Sequence, residues 1–211
     1  MTKGFLSFVS RKRFKAKTTA MIVAVCAAAI VVIDFIQRSK APASQAALAR
    51  SQGAANAPIH ITEYVDFTSD ECARTAASLR EYMHRYPSKI FLEMKYFPNR
   101  SASIESAIYA DCAAQQSKFW PFYEFLFERQ WQWNNKDNAK DVFVKAAETM
   151  GVDITQLDSC VNGPLARSTV LAEKTEGELN RISHTPTYFI NGKMVVGYRG
   201  LKETLEELLE I

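Results

Sequence analysis

The sequence predicts an α/β fold in which a strand–helix–strand unit, a helical insertion and a strand–strand–helix unit follow one another. Apolar residues alternate at 59–67 and again at 90–97, a pattern typical of strands. The middle of the chain, about 101–180, carries apolar and aromatic residues at helical spacing. Near the end, two short β-prone runs flank Asn191-Gly192, which is a strong hairpin signal, and an amphipathic segment follows.

The first strand leads into a predicted helix that starts near Cys72 and ends at Arg85, shortly before Pro87. Pro98 stops the second strand because proline cannot donate to a strand ladder. Within the insertion we predict helices at 141–150 and 163–180, and we interpret the aromatic side chains between 119 and 127 as core. The hairpin comprises residues 187–190 and 194–198, and residues 201–211 form the last helix.

The first 36 residues have the pattern of a membrane-targeting segment. Residues 1–17 contain six basic side chains and no acid, and residues 18–36 contain one charged residue, Asp34. A membrane helix needs about 17–25 largely apolar residues, and cations before it place the N terminus in the cytoplasm. We therefore expect a single-pass signal anchor in the bacterial inner membrane, with the remaining chain in the periplasm or outside the cell.

A cleaved signal peptide is the alternative, because Ala41-Pro42-Ala43 resembles a processing site. Residues 37–57 are rich in Ala, Ser and Gln, which predicts a flexible linker before a folded domain at 58–211. Removing the six cations of the basic segment turns the net charge of +3 into −3, so nothing in the composition indicates a nucleic-acid partner.

Two separated segments resemble the DsbA-like branch of the thioredoxin superfamily. That branch usually reads Glu-Phe-x-Asp-Phe-x-Cys-Pro-x-Cys, and residues 63–72 read Glu-Tyr-Val-Asp-Phe-Thr-Ser-Asp-Glu-Cys. Its second segment is Gly-Thr-Pro-Thr, an apolar strand and Asn-Gly, and residues 184–192 read His-Thr-Pro-Thr-Tyr-Phe-Ile-Asn-Gly. Residues 110–120 are similar to the start of its helical insertion. The resemblance runs from about residue 58 to the C terminus and implies a thioredoxin fold with a helical insertion.

The resemblance marks Ser69 and Cys72 as the candidate catalytic pair. In the family the first cysteine is a thiolate at a helix N terminus, and it attacks a substrate disulfide. Ser69 stands at that position, and a hydroxyl cannot form a reversible bond to sulfur, so the pair cannot cycle as a dithiol. Alternatively, Ser69 or Asp70 is simply the helix N-cap, and Cys72 is a small buried residue. Asp70 and Glu71 disfavour a thiolate at Cys72 through like-charge repulsion.

The second segment supplies the candidate substrate-binding residues Thr185, Pro186 and His184. The resemblance implies a cis Pro186 and a Thr185 whose backbone N–H and C=O face an extended substrate chain. Such pairing needs main-chain groups and not sulfur. His184 stands where the family has glycine, and it is either a base near Ser69 and Cys72 or an exposed loop residue.

The resemblance also implies a structural disulfide between Cys112 and Cys160, because relatives of this branch carry paired cysteines in the insertion. Export favours pairing, and two buried thiols are the alternative. The spacing of the four cysteines suits no zinc site, and no cofactor is indicated.

Three functions remain open at the level of sequence. The first is a membrane-anchored, exported thiol–disulfide oxidoreductase homologue that is impaired in dithiol chemistry and uses Cys72, if at all, with the thiol of a partner protein. The second is a non-catalytic module that binds extended or unfolded exported polypeptides at the Thr185-Pro186 edge. The third is a glutathione-using enzyme that resembles kappa-class transferases, with Ser69 facing the glutathione thiolate. Export and the acidic Asp70-Glu71 pair argue against the third.

Overall fold

A computed structural model of the chain describes residues 49–211. The predicted basic segment at 1–17, the predicted anchor at 18–36 and the first part of the predicted linker lie outside this range. Between residues 49 and 211, no helix is both long and apolar enough to cross a bilayer.

The described chain builds one five-stranded sheet with the order β1–β3–β2–β4–β5. The strands are β1 (Ser51–Gly53), β2 (Ile59–Val65), β3 (Ile90–Tyr96), β4 (Thr187–Ile190) and β5 (Lys193–Val196). The β2–β3 pair is parallel, and the other neighbours are antiparallel. Strand β2 pairs along its whole length with β3 and also with β4, so its C-terminal end lies at the centre of the sheet.

The helices complete a thioredoxin fold with a helical insertion, as the sequence predicts. Helix α1 (Asp70–Arg85) connects the two parallel strands, and α8 (Gly197–Leu209) follows β5. The insertion consists of α2 (Ser101–Gln115), α3 (Phe119–Glu128), α4 (Gln130–Trp133), α5 (Ala139–Thr149), α6 (Ile154–Asn162) and α7 (Pro164–Leu179). These bounds agree with the predicted insertion of about 101–180.

The apolar pattern of each element explains which face is buried. Alternation in β3 buries every second residue. The aromatic side chains of α3 pack with Phe143 of α5 in the larger of the hydrophobic cores. A second core lies between the sheet, α1 and α8, where Leu201 and Leu205 are fully buried. The interpretation of the aromatic segment as core is confirmed for Phe119, Phe122 and Phe127.

A disulfide joins Cys112 of α2 to Cys160 of α6 across a sequence separation of 48, with a Cα–Cα distance of 5.8 Å. It therefore links two helices of the insertion that are far apart along the chain.

The predicted start of the folded domain at residue 58 is wrong, because part of the predicted linker belongs to the sheet. Strand β1 pairs with β3, with Ser51 opposite Glu93 and Gly53 opposite Phe91. Arg50 is 1% exposed. No alternation of apolar residues predicts this strand, because it is only three residues long and the side chain that anchors it, Arg50, is charged.

The buried guanidinium of Arg50 joins three elements. It donates to both carboxylate oxygens of Glu173 in α7, at 2.8 and 2.7 Å, and it lies 4.5 Å from the ring centroid of Tyr96 in β3. Glu173 also accepts the backbone N–H of Tyr96 at 2.8 Å. The chain that enters the domain is thereby fixed to both the sheet and the insertion.

We predict that Arg50→Met lowers the free energy of unfolding by about 3–5 kcal/mol, because it leaves the carboxylate of Glu173 without its buried partner. Denaturant unfolding followed by circular dichroism measures the change, and adding Glu173→Leu to Arg50→Met should recover part of it. The control is Arg85→Met, which removes an exposed helical ion pair with Glu81 and should cost at most about 0.5 kcal/mol. Equal effects of the two single variants would contradict this role for Arg50.

Candidate functional site

The candidate site begins where β2 passes into α1. Ser69 is the N-cap of α1, with extended backbone angles, and its Oγ accepts the backbone N–H of Cys72 at 3.2 Å. This confirms the N-cap interpretation of Ser69. Asp70 and Glu71 lie in the first turn of α1, where their negative charges interact favourably with the positive end of the helix dipole.

The turn before Ser69 is organised around the buried carboxylate of Asp66. One carboxylate oxygen accepts both the N–H and the hydroxyl of Thr68, at 2.8 and 2.6 Å. The other oxygen accepts the backbone N–H of Asn99 at 3.0 Å. Because Ser69 N–H in turn donates to the carbonyl of Asp66, the same residue sets the position of the N-cap.

The helical insertion holds this turn from the other side. The amide nitrogen of Gln130 donates to the carbonyls of Phe67 and Ser69, at 2.7 and 3.2 Å. Asn134 and Arg100 donate to the carbonyl of Thr68 at 3.4 and 3.3 Å. No sequence signal predicts these positioning residues, because polar side chains more than 30 positions away carry no pattern that assigns them to this turn.

The thiol of Cys72 lies on the inner side of α1 and is fully buried, in agreement with the interpretation of Cys72 as a small buried residue. It is the free cysteine of the described residues. Burial raises its pKa to about 12, and the charge of Glu63 adds to this effect, while hydrogen bonds from Ser69, the backbone of Asp66 and Thr185 lower the pKa less. At neutral pH the group is therefore a neutral thiol.

Glu63 is a buried carboxyl that the sequence analysis quoted in the motif but assigned no role. It accepts hydrogen bonds from Tyr123 of α3 at 3.2 Å and from Tyr188 of β4 at 3.1 Å. Burial raises its pKa to about 7, although both hydroxyls act in the opposite direction. A signal for it existed, because Glu63 takes an inward position of the alternating strand β2, in line with Ile61 and Val65.

The predicted substrate-binding segment reaches the same end of the sheet. The Thr185–Pro186 peptide bond is cis, as expected, and Tyr64 pairs with Thr187 so that β4 lies beside β2. The hydroxyl of Thr185 lies close enough to Cys72 to lower the pKa of the thiol. The structure therefore brings Thr185 and Pro186 together with Ser69 and Cys72.

His184 is exposed, and its Nδ1 lies 2.9 Å from the hydroxyl of the adjacent Ser183. The groups that most shift the pKa of Cys72 do not include His184. The loop interpretation of His184 fits this placement better than a role as base. Across residues 49–211, no three His, Cys, Asp or Glu side chains are grouped so that they could hold a metal ion.

Comparisons with known proteins agree with this architecture. A family model described as thioredoxin matches residues 45–210, and the chain belongs to that family. Wolbachia pipientis alpha-DsbA1 superposes with a TM-score of 0.68 at 19% identity, over 76% of this chain and 89% of that one. A periplasmic thioredoxin-like protein from Salmonella enterica serovar Typhimurium gives 0.63 at 18% identity, over 80% and 92%. At these identities the structural likeness establishes the fold.

A curated relative, the Na(+)/H(+) antiporter NhaA of Herminiimonas arsenicoxydans, is 23% identical over 146 residues. The match covers 69% of this chain and 23% of the antiporter. The chain therefore spans about a quarter of the length of the curated relatives it matches.

We predict that iodoacetamide at pH 8 modifies Cys72 in the folded protein more than about 1000-fold more slowly than in denaturant. A pKa of about 12 instead of 9 leaves about one thousandth of the ordinary thiolate fraction, and burial slows access further. Mass spectrometry of the peptide that contains Cys72 measures the rate. A thiol placed on the surface by Ser88→Cys serves as the control, and a Cys72 rate close to that of the control would contradict the placement.

We predict that Glu63→Gln makes stability less dependent on pH. The folded-state pKa of about 7 lies above the ordinary value of 4.5, so the folded protein binds this proton more tightly than the unfolded chain. The free energy of unfolding of the parent should therefore fall as pH rises through this window. Between pH 4 and pH 8, the free energy of unfolding of the variant should rise by about 3 kcal/mol relative to that of the parent. Denaturant titrations at each pH measure this difference. A constant difference between the two proteins across this range would show that Glu63 does not titrate there.

Proposed function

We propose that this DsbA-like member of the thiol–disulfide oxidoreductase family is an exported, membrane-anchored protein that binds extended polypeptides and does not turn over a dithiol. The observation that carries the proposal is the pairing of an N-cap hydroxyl at Ser69 with a fully buried thiol at Cys72. Ser69 stands at the position of the attacking cysteine in the family motif.

Disulfide exchange requires a thiolate that attacks one sulfur and expels the other as a thiolate. The hydroxyl of Ser69 cannot take the first role, because oxygen forms no stable and reversible bond to a disulfide sulfur. Cys72 is buried and its pKa is raised to about 12, so few molecules carry the thiolate at neutral pH. Chemistry of Cys72 with a partner thiol protein would require α1 to open first.

The Thr185-Pro186 edge combines a partly exposed loop with exposed apolar side chains, which suits recognition of an extended peptide. Thr185 is partly exposed beside the thiol. Strand β5 pairs with β4, which follows this loop, and presents Met194 and Val196, which are 44% and 52% exposed. Tyr198, the second residue of α8, is 43% exposed. An extended chain can pair with main-chain groups of the loop while its apolar side chains pack on these residues.

Three observations support export and anchoring. The basic and apolar segments at the start of the sequence have the order of a signal anchor. The disulfide between Cys112 and Cys160 suits an oxidising compartment. The structurally similar Salmonella protein is described as periplasmic. We do not extend Na(+)/H(+) antiport to this chain, because the match covers 23% of the antiporter.

We predict that the protein reduces insulin disulfides at a rate near background and that Ser69→Cys raises this rate by about 100-fold or more, since loss of a nucleophile costs at least that much in other enzymes. Ser88→Cys adds an exposed thiol outside the site and should stay at background. A turbidity assay with dithiothreitol measures all three proteins. Turnover by the parent protein at the rate of a dithiol relative would refute the loss of activity.

We predict that Val196→Lys weakens binding of a fluorescein-labelled, reduced and carboxymethylated polypeptide by about fivefold or more, equivalent to about 1 kcal/mol. The control Leu165→Lys changes an apolar residue that is 68% exposed on α7, away from the loop. Fluorescence anisotropy measures both. Equal affinities of the two variants would argue against the proposed edge, and saturable glutathione binding that Ser69→Ala abolishes would favour the transferase-like alternative instead.

A further inference from the structure

A cavity of about 600 Å³ lies between α1 and α3, beside the end of β1. Ligand sites of proteins commonly measure about 300–1,000 Å³, so the space can hold a small molecule. The proposed polypeptide edge does not include this cavity, because Thr185, Pro186 and β5 contribute nothing to its lining.

The two helices that form the cavity line it with side chains of different size. Helix α1 contributes Ala73, Ala76 and Ala77, which share one face of the helix. Helix α3 contributes Trp120 and Tyr123, and Phe127 follows one turn later. Methyl groups opposite large rings leave the space open, and the lining between them is mostly apolar.

The rim of the cavity carries an excess of negative charge. Arg80 of α1 lies 2.8 Å from a carboxylate oxygen of Glu128 and 3.3 Å from one of Glu124, both on α3. One guanidinium therefore faces two carboxylates, and the lining also contains His84 and Tyr123. A cation that enters here completes the charge balance, whereas an anion adds a third negative group.

The inner end of the cavity reaches the candidate site. Tyr123 lines the cavity and donates its hydroxyl to Glu63, and Ala73 directly follows Cys72. A ligand in the cavity would thus contact the residue that holds the buried carboxyl, without contacting Ser69 or Thr185.

We propose that this cavity is a binding site for a small amphiphilic amine, with an aromatic or aliphatic body between α1 and α3 and a protonated amino group beside Glu124 and Glu128. The apolar lining selects the body, and the excess carboxylate at the rim selects the charge. The proposal does not require that the polypeptide edge binds peptide or that Cys72 is reactive.

Calorimetric titration of the full-length chain in lipid nanodiscs tests this site, with empty nanodiscs subtracted. The probes are phenylbutylamine and phenylbutyrate, which share a body and differ in charge. We expect saturable binding of the amine and about fivefold weaker binding of the carboxylate, because an exposed charge contact contributes up to about 1 kcal/mol. Equal or tighter binding of the carboxylate, or no saturable binding of the amine, would overturn the proposal.

Three variants locate the site. Ala77→Phe fills the cavity from an exposed position of α1 and should abolish saturable binding, whereas Arg74→Phe, on the same helix outside the lining, should retain it. Glu124→Gln keeps the cavity open and should remove the preference for the amine, which keeps the test decisive if Ala77→Phe disturbs folding. Unchanged binding by Ala77→Phe, or an unchanged preference in Glu124→Gln, would place the amine elsewhere.

Discussion

The hydrogen bond from the backbone of Cys72 to the hydroxyl of Ser69 is the interaction on which the site depends. It begins α1 with the Ser69 oxygen, at the position that the resemblance to the DsbA-like motif assigns to the attacking cysteine. The same bond commits the Ser69 oxygen to capping the helix. Asp66 fixes the turn from within, and Gln130 fixes it from the insertion. The turn before α1 is thereby held in place, although the side chain of Ser69 cannot take part in disulfide exchange.

Burial is the second constraint, and it acts on two groups that face each other. Cys72 and Glu63 both lie in the interior, and each is shifted toward its neutral form because a charge there loses hydration. Tyr123 and Tyr188 hold Glu63 from the insertion and from the sheet. The interior beneath the N terminus of α1 thus contains hydrogen-bonded polar groups, while the neighbouring loop exposes His184 and part of Thr185 and buries Pro186. Because the thiol is buried and part of the loop is exposed, this arrangement favours recognition of a peptide by backbone and surface contacts over covalent chemistry.

The order of the elements could be predicted from sequence because each follows from a local rule. Alternation marked β2 and β3, Asn191-Gly192 marked the hairpin, and helical spacing marked the insertion. The start of the domain could not be predicted, since β1 has three residues and its anchor, Arg50, finds Glu173 more than 100 positions later. The place of Ser69 and Cys72 at the start of α1 could be predicted because the motif that contains them is contiguous. Its support by Gln130 and Asn134 depends on how the insertion folds back, which no local pattern encodes.

The redox state of Cys72 in the cell tests the central claim most directly. The full-length protein can be recovered from cells that are quenched with acid and treated with an alkylating reagent under denaturing conditions, and its cysteine peptides can be mapped by mass spectrometry. The account predicts that Cys72 is recovered as a free thiol while Cys112 and Cys160 are joined. Recovery of a substantial fraction of Cys72 in mixed disulfides with client proteins would contradict it.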